Sequence, residues 1–429
     1  MSTGTFTDLI LDIGGVVMTY SLKKAGTISP HTLGAILESS FWHDYERAKV
    51  SKRECYNSIS TDFKLPEGAL EMALSEAAAS LKPNYYFIEE VKRLKQECPQ
   101  IKVHAFSNIS QPDFDEIEAE ILSWGLFDNV FTSAAIKCRK PELQSYRLVL
   151  DCINSDASSC VFVDDKLENV MAAHSLGMKG ILFKTSEATV ASIYNLVGDP
   201  VQRGLNFLQK RSRNLFSETE GGITLRDNFS QLLILHSTGN SELVSLDNKG
   251  HTWQYFIGAP VFTTCSFPDD LDTTSLAMVT LDVDEKLKQE VMDKMMMHLT
   301  NEGLPMTRAY EIGSRYYCQP EWLLYYLADL CARCDDAELE ELAGIVKAEL
   351  ERRMGRDKDV MAASLRAVSA QALDLDNSED VQTLLAAQEL DGGWGLAWMV
   401  KYGSSSLKIG NRGVVTAMAV KAIRASCAV

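Results

Sequence analysis

Residues 7–18 read TDLILDIGGVVM, an apolar run that ends in an acidic residue and two glycines. This pattern is typical of a buried parallel strand that feeds a loop. Further short apolar runs at residues 102–106, near Val130 and at 160–163 alternate with helical patterns such as residues 116–124. The alternation predicts a doubly wound α/β fold built on a parallel sheet.

A change of pattern divides the chain into two parts. A helical period over about residues 20–98 predicts a helical cap inserted into the α/β fold, whereas after about residue 188 long amphipathic helices follow one another. Helix pairs joined by glycine-rich turns, such as QELDGGWG at 388–395, favour an all-α domain of the α/α-barrel type. We therefore expect a first domain over 1–188, a linker over 189–200 and a second domain over 201–429.

Composition narrows the choice of ligand. With 429 residues and 46% hydrophobic content, the chain is long and apolar enough for two cores. Its net charge of −17 argues against a nucleic-acid partner, so an anionic ligand needs a metal ion or a local basic pocket. The N-terminal residues resemble no signal peptide and no stretch has the length of a transmembrane helix, so we expect a cytoplasmic protein without stable membrane insertion. The sequence carries no signal for oligomeric state.

Four short elements place reactive residues along the first domain. They are Asp12-Ile13-Gly14-Gly15-Val16, Phe106-Ser107-Asn108, Lys140-Pro141-Glu142 and Val161-Phe162-Val163-Asp164-Asp165. Their order and spacing resemble the haloacid-dehalogenase-like (HAD-like) superfamily over residues 7–184. A carboxylate at a strand end can attack phosphorus, while a hydroxyl and an ammonium group stabilise charge on the phosphoryl oxygens.

The resemblance implies a role for each of these residues. Asp12 is expected to be the phosphatase nucleophile and Lys140 the phosphate-clamping lysine. Ser107 and Asn108 are expected to bind the phosphoryl group. The metal ligands are expected to be Asp12, Asp164 and Asp165, with Mg²⁺ as the cofactor.

Gly14 stands where the superfamily carries a second aspartate that protonates the leaving group. Cleavage of a diphosphate expels phosphate, a weak base that needs little help from an acid, whereas cleavage of the remaining monophosphate expels an alkoxide. We therefore expect the second cleavage to be the slower one. A phosphatase-like domain that serves only as a scaffold is the alternative.

The segment Asp164-Asp165-Lys166-Leu167-Glu168 also spells DDxxE, which resembles the metal-binding motif of ionisation-type (class I) terpene synthases. That motif requires a helix that faces an all-α cavity. Here it directly follows the apolar strand at 161–163, which favours the phosphatase interpretation.

In the second domain, Pro268-Asp269-Asp270-Leu271-Asp272-Thr273-Thr274 precedes an apolar run. On pattern alone this is a helix N-cap. The segment also resembles the DxDTT variant of the class II terpene cyclase motif, and residues 388–394 resemble the QW-type motif of the same barrels. Together with a HAD-like first domain, the whole chain is similar to the drimane-type (drimenol or albicanol) class II sesquiterpene cyclases, whose helical domain is of the β type.

This resemblance implies that Asp272 is the general acid that protonates the terminal alkene of farnesyl diphosphate, with Asp270 and Thr273 as catalytic neighbours. The acid has to be un-ionised at neutral pH. Burial and the charge of Asp270 would raise its pKa, while a helix N-terminus would lower it. The sequence leaves open which effect dominates.

A cyclisation cation requires aromatic faces, and a diphosphate requires cations. The aromatic candidates are Trp253, Tyr255, Phe256, Phe262, Tyr310, Tyr316, Tyr317, Trp322, Trp394 and Trp398. Among them Tyr310, Tyr316 and Trp394 are expected to contact the substrate. Arg308 and Arg315 are the expected diphosphate ligands, with Lys408 and Arg412 as further candidates.

The expected reaction is closure of farnesyl diphosphate to drimenyl or albicanyl diphosphate, followed by hydrolysis to the alcohol. Two alternatives remain at this point. One is a cyclase that releases the diphosphate because its HAD-like half is only a scaffold. The other is a HAD-like phosphatase fused to a helical interaction module, in which Asp272 merely caps a helix.

Overall fold

A computed structural model describes residues 6–20, 28–248, 250–263, 267–296, 317–334, 337–402 and 406–426. The chain divides into two compact units, Met1–Gly198 and Asp199–Val429. Arg308, Arg315, Tyr310 and Tyr316, all expected to bind substrate, lie outside the described residues. Among the described residues, the helices fall short of the length and apolar content needed to cross a membrane.

The first unit contains a five-stranded parallel sheet in the order β5-β4-β1-β6-β7. Its strands, with the short antiparallel pair β2 and β3, are β1 (Asp8–Leu11), β2 (Met18–Thr19), β3 (Lys82–Pro83), β4 (Lys102–Ser107), β5 (Asn129–Thr132), β6 (Cys160–Asp164) and β7 (Lys179–Leu182). The apolar residues of β1 are fully buried, as expected for a central parallel strand. The predicted doubly wound sheet is confirmed.

Eleven helices are described in the first unit. They are α1 (Pro30–Leu37), α2 (Ser40–Glu46), α3 (Lys52–Asp62), α4 (Ala69–Ala79), α5 (Tyr85–Glu97), α6 (Gln111–Asp115), α7 (Glu118–Ser123), α8 (Ser133–Ile136), α9 (Leu143–Ile153), α10 (Leu167–Ser175) and α11 (Ser186–Val197). Helices α1 to α4 carry a hydrophobic core of their own and form the cap.

Two predicted boundaries in the first unit were wrong. The cap ends with α4 rather than at residue 98, because α5 is the crossover helix to β4 and buries Phe87, Ile88, Val91 and Leu94. The expected linker over 189–200 is largely α11, which buries one apolar face and so belongs to the first unit. Amphipathic helices resemble one another in sequence whichever core they cover, so pattern alone misplaced both limits.

The second unit is mainly helical. Its helices are α12 (Pro200–Lys210), α13 (Asn228–Thr238), α14 (Leu271–Thr280), α15 (Glu285–Met296), α16 (Glu321–Arg333), α17 (Ala337–Arg353), α18 (Val360–Ala372), α19 (Ser378–Ala387) and α20 (Arg412–Ser426). Helix α20 is buried along most of its length and packs against α12, α13 and α18. Around it lies one large hydrophobic core.

The second unit also contains a sheet that the all-α prediction missed. Its antiparallel strands have the order β10-β11-β8-β9 and are β8 (Ser217–Thr219), β9 (Thr224–Leu225), β10 (Trp398–Tyr402) and β11 (Leu407–Gly410). These strands are two to five residues long. Such short segments show too few alternations for a period of two to be recognised.

Candidate active sites

Three carboxylates meet at the carboxyl edge of the parallel sheet. Asp12 directly follows β1, Asp164 ends β6, and Asp165 comes next; one oxygen from each lies within 4.8 Å of the others. The sheet brings them together because β1 and β6 are neighbours with Leu11 opposite Val163. Carboxylate oxygens in this arrangement suit a hard divalent cation.

Lys140 lies between two of these carboxylates and is almost fully buried. Its Nζ is 2.9 Å from Asp12 Oδ1, 2.6 Å from Asp164 Oδ2, and donates a hydrogen bond to the Phe106 carbonyl at 2.8 Å. Asn108 holds the lysine backbone, because its Oδ1 accepts from the Lys140 N–H and its Nδ2 donates to the Lys140 carbonyl. The side chain of Asn108, predicted to bind phosphate, is thus engaged in positioning Lys140.

The charges around Lys140 oppose the effect of burial. Burial raises the pKa of Asp12 to about 7, and the ammonium of Lys140 acts in the opposite direction. Burial lowers the pKa of Lys140, but the carboxylates of Asp12 and Asp164 outweigh it and raise that pKa overall. The lysine therefore stays charged and favours an ionised, nucleophilic Asp12.

The other predicted residues at this edge of the sheet differ in burial and in hydrogen bonding. Asp164 is fully buried and accepts hydrogen bonds from Asn169 Nδ2 and the Lys166 N–H. Asp165 is partly accessible, and Ser107 is buried at the end of β4. Gly15 has a φ of +83°, and a Cβ there would come within 2.5 Å of Asp165 Oδ2, so the close approach of loop and carboxylate requires glycine.

The DDxxE interpretation does not fit this geometry. Asp164 is buried at a strand end, whereas Glu168 is exposed on α10. The third member of the acidic cluster is Asp12 instead. The segment therefore belongs to the sheet-edge site.

The second predicted site lies at the start of α14. Asp270 is the N-cap, and its Oδ1 accepts from the Thr273 N–H at 2.8 Å. The Thr274 hydroxyl accepts from the Trp253 N–H at 2.9 Å, and the Asp270 N–H donates to the Trp253 carbonyl at 2.9 Å. The first aspartate and the two threonines of the motif thus fix where the helix begins.

Asp272 lies in the first turn of α14 and, unlike Asp270, its carboxylate does not cap the helix. Its Oδ2 accepts a hydrogen bond from the Tyr317 hydroxyl at 3.3 Å. Burial raises the pKa of Asp272, and this hydrogen bond opposes the rise. The side chain is nevertheless accessible to solvent.

Aromatic residues lie beside Asp272, of which Tyr317 and Tyr326 are accessible to solvent while Trp322 and Tyr325 are buried. The ring of Tyr317 lies 5.8 Å from Trp322, which stacks on Tyr326 at 6.1 Å and meets Tyr325 edge-on at 6.1 Å. Tyr317 and Trp322 were among the sequence candidates; Tyr325 and Tyr326 were missed. The sequence WLLYY at 322–326 places these rings at i, i+3 and i+4, which was the available signal.

Two further candidates, Trp394 and Arg412, are held by partners within the second unit. Trp394 is fully buried in the core and its indole N–H donates to the Leu384 carbonyl at 2.7 Å, so it cannot reach a substrate. Arg412 forms ion pairs with Glu389 and Asp391 of the same glycine-rich turn. Trp394 and Arg412 therefore stabilise the turn.

The model of the sesquiterpene cyclase astC-like C-terminal domain matches residues 201–317. The chain is 34% identical to drimenol cyclase drtB of Aspergillus calidoustus over 463 aligned positions, which cover 97% of this chain and 88% of drtB. The chain belongs to the HAD-like drimenol cyclase family.

Both halves of this drimenol cyclase family member have relatives. Its first unit is similar to sesquiterpene phosphatase astK of Aspergillus oryzae, with 34% identity over 194 residues that cover 45% of this chain and 98% of astK. Among solved structures, a HAD family enzyme of Bacteroides thetaiotaomicron in complex with magnesium and inorganic phosphate is 17% identical, with 41% of this chain and 93% of that chain covered and a TM-score of 0.34. The family resemblance predicted from the sequence is confirmed.

Proposed function

We propose that the protein is a bifunctional sesquiterpene synthase. It closes farnesyl diphosphate to a drimane-type bicyclic diphosphate, drimenyl or albicanyl, at Asp272. It then hydrolyses this diphosphate to the alcohol at Asp12. The chain is related to drimenol cyclase drtB along 97% of its length. The observation that supports the proposal most directly is that it holds two carboxylates in opposite settings, Asp12 beside a lysine and Asp272 beside aromatic rings.

Cyclisation begins with transfer of the Asp272 proton to the terminal alkene. Burial already favours the protonated acid, and a hydrocarbon chain lying over Asp272 would exclude the solvent that now reaches it and raise its pKa further. The accessible rings of Tyr317 and Tyr326 offer π faces to the resulting carbocation, and both lie within 6.1 Å of the buried Trp322 ring. Asp270 and Thr273 hold the acid in place through the helix cap.

The substrate diphosphate requires cations near this acid. Lys401 and Lys408 face each other across β10 and β11, and neither forms an ion pair among the described residues. Tyr317 forms a β-bridge with Val400, next to Lys401. Two like charges opposed on neighbouring strands are unfavourable unless an anion lies between them. We assign Lys401 and Lys408 as diphosphate ligands, which extends the predicted role of Lys408.

Hydrolysis takes place at the sheet edge. Asp12 forms a bond to phosphorus, and Lys140 and the Ser107 hydroxyl stabilise charge on the phosphoryl oxygens. Asp12, Asp164 and Asp165 offer oxygen donors within 4.8 Å of one another, which fits Mg²⁺. Bound there, Mg²⁺ would neutralise phosphate charge and orient the phosphoryl group. The second cleavage, which expels an alkoxide, is expected to be the slower one.

Two substitutions separate the activities. With farnesyl diphosphate and Mg²⁺, Asp272→Asn should abolish bicyclic products and leave farnesol release, whereas Asp12→Ala should accumulate the bicyclic diphosphate, detected as alcohol after added phosphatase. Asp376→Ala and Asp62→Ala, at exposed positions of the two units, are the matched controls. Bicyclic product from Asp272→Asn would disprove the acid assignment. Free diphosphate as the sole wild-type product would instead favour the scaffold alternative.

A further inference from the structure

The loop after Asp12 has no side chain at position 14 that could donate a proton to the leaving group. Expulsion of an alkoxide from a phosphate monoester requires a proton at the leaving oxygen. Gly14, two residues after Asp12, has no side chain to supply it. Its backbone does not demand glycine, since φ lies outside the left-handed region and a Cβ built there would meet only Tyr20 Cε1, at 3.7 Å, an ordinary van der Waals contact.

Tyr20 therefore lies next to the place from which a side chain at position 14 would project. The turn after Asp12 brings it there: Gly15 N–H donates to the Met18 carbonyl at 2.7 Å, and Met18 N–H to the Ile13 carbonyl at 2.8 Å. Strand β2 then pairs with β3 immediately before Tyr20. The Tyr20 side chain remains 41% exposed, as a group that meets an incoming substrate must.

A tyrosine phenol has an ordinary pKa of about 10, so Tyr20 is protonated at neutral pH. Burial raises its pKa, and the carboxylates of Asp165, Asp12 and Asp164 act in the same direction, while Lys166 opposes them. A protonated phenol beside the nucleophile is a proton donor in the right state at neutral pH.

Other titratable groups around this site are less suited to the task. Lys140 is buried between Asp12 and Asp164. Lys166 pairs with Glu38 at 2.8 Å, and His43 Nε2 lies 3.7 Å from the same carboxylate. Burial and the charge of Arg139 lower the pKa of His43, so it is largely neutral at pH 7. Tyr20 is the donor adjacent to the empty side-chain position.

We propose that Tyr20 is the catalytic acid of monophosphate cleavage, in place of the side chain that Gly14 lacks. This inference rests on the proposed phosphatase function. An Asp12 oxygen forms the bond to phosphorus, the bond from phosphorus to the alkyl oxygen breaks, and the phenolic proton moves to that oxygen to give the alcohol. Water then attacks the aspartyl phosphate, which frees Asp12 and inorganic phosphate, and its proton returns to the Tyr20 phenolate.

The test compares two leaving groups in the first turnover of the full-length protein with Mg²⁺. Farnesyl monophosphate expels an alkoxide that needs a proton, whereas 4-nitrophenyl phosphate expels a stabilised phenolate that leaves without one. In Tyr20→Phe the first-turnover release of farnesol should fall about 10²-fold or more, the usual contribution of a general acid, while the burst of 4-nitrophenolate stays unchanged. Tyr85→Phe, a 62% exposed tyrosine of the same unit, is the matched control.

A rescue distinguishes proton donation from a structural role. Because position 14 has room and an ordinary backbone, Gly14→Asp in the Tyr20→Phe background should restore farnesol release. Equal losses for both leaving groups, or no loss for either, would overturn the assignment of Tyr20 while the wild-type activity still supports the proposed phosphatase. A wild-type protein that cleaves neither ester would instead refute the phosphatase, and the Tyr20 assignment with it.

Discussion

Replacement of Tyr317 by phenylalanine tests how the acid of cyclisation is tuned. The Tyr317 hydroxyl donates to Asp272 Oδ2 at 3.3 Å, and a hydrogen bond to a carboxylate stabilises its ionised form. Cyclisation requires the protonated form. Removal of the hydroxyl should therefore raise the pKa of Asp272 and extend activity to higher pH, with the aromatic ring still present for the carbocation.

The size of the shift follows from the strength of the lost hydrogen bond. A bond to a charged group contributes about 1.5–3 kcal/mol, and one pKa unit corresponds to about 1.4 kcal/mol. The distance is long for an O–H···O contact and solvent reaches the site, which screens the interaction and favours the lower end of the range. We expect the alkaline limb of the pH profile to move up by about one unit.

The assay isolates cyclisation from hydrolysis. In an Asp12→Ala background the bicyclic diphosphate accumulates, and its initial rate can be followed as alcohol after quenching and treatment with an added phosphatase. The profile of kcat/KM against pH reports the free enzyme. Tyr402→Phe serves as a control that removes a tyrosine hydroxyl from β10.

An alkaline limb that stays in place, or that moves to lower pH, would refute the reasoning. The first result would mean that Tyr317 does not act on the ionisation of the acid. The second would mean that its hydroxyl stabilises the protonated form. A loss of rate at every pH without displacement of the limb would assign Tyr317 a role in substrate positioning alone.

Three further outcomes follow from the structure. Lys140→Met leaves Asp12 and Asp164 without their shared cation, so phosphatase activity should be lost and the free energy of unfolding should fall by about 3–5 kcal/mol in urea titrations. Trp394→Phe should cost about 1–3 kcal/mol of stability, because it leaves the buried Leu384 carbonyl unpaired, without changing the product pattern. Mg²⁺ should raise the thermal unfolding temperature, and both EDTA and Asp165→Ala should abolish that rise.

The sheet-edge site was predictable because one rule of parallel sheets covers it. Apolar strands are visible in the sequence, and residues that follow adjacent strands meet at one edge, so Asp12 and Asp164 could be placed together without a structure. The role of Asn108 could not be predicted, because its contacts are to the backbone of Lys140, 32 positions away in the chain. The identity of a residue at a strand end does not reveal whether its side chain contacts a ligand or another loop of the protein.

The cyclase site was predictable only as far as the motif extends. Asp270, Asp272 and Thr273 lie within four residues at one helix start, and their local geometry follows from capping. Trp394 and Trp322 were both aromatic candidates, yet both are buried in the core of the second unit, whereas Tyr317 beside Asp272 is partly accessible. Burial of an aromatic residue depends on long-range packing, which a single sequence does not specify.

The two carboxylates illustrate how one chain sustains opposite proton chemistry. Burial raises the pKa of both carboxyl groups. At Asp12 an almost fully buried ammonium lies 2.9 Å away and opposes this rise, which favours the anion that phosphoryl transfer requires. Among the described residues no cation contributes to the pKa of Asp272, and a neutral phenol is its one opposing partner. In the proposed mechanism, a lysine beside the nucleophile Asp12 and a tyrosine beside the acid Asp272 therefore distinguish two carboxyl groups that burial affects in the same direction.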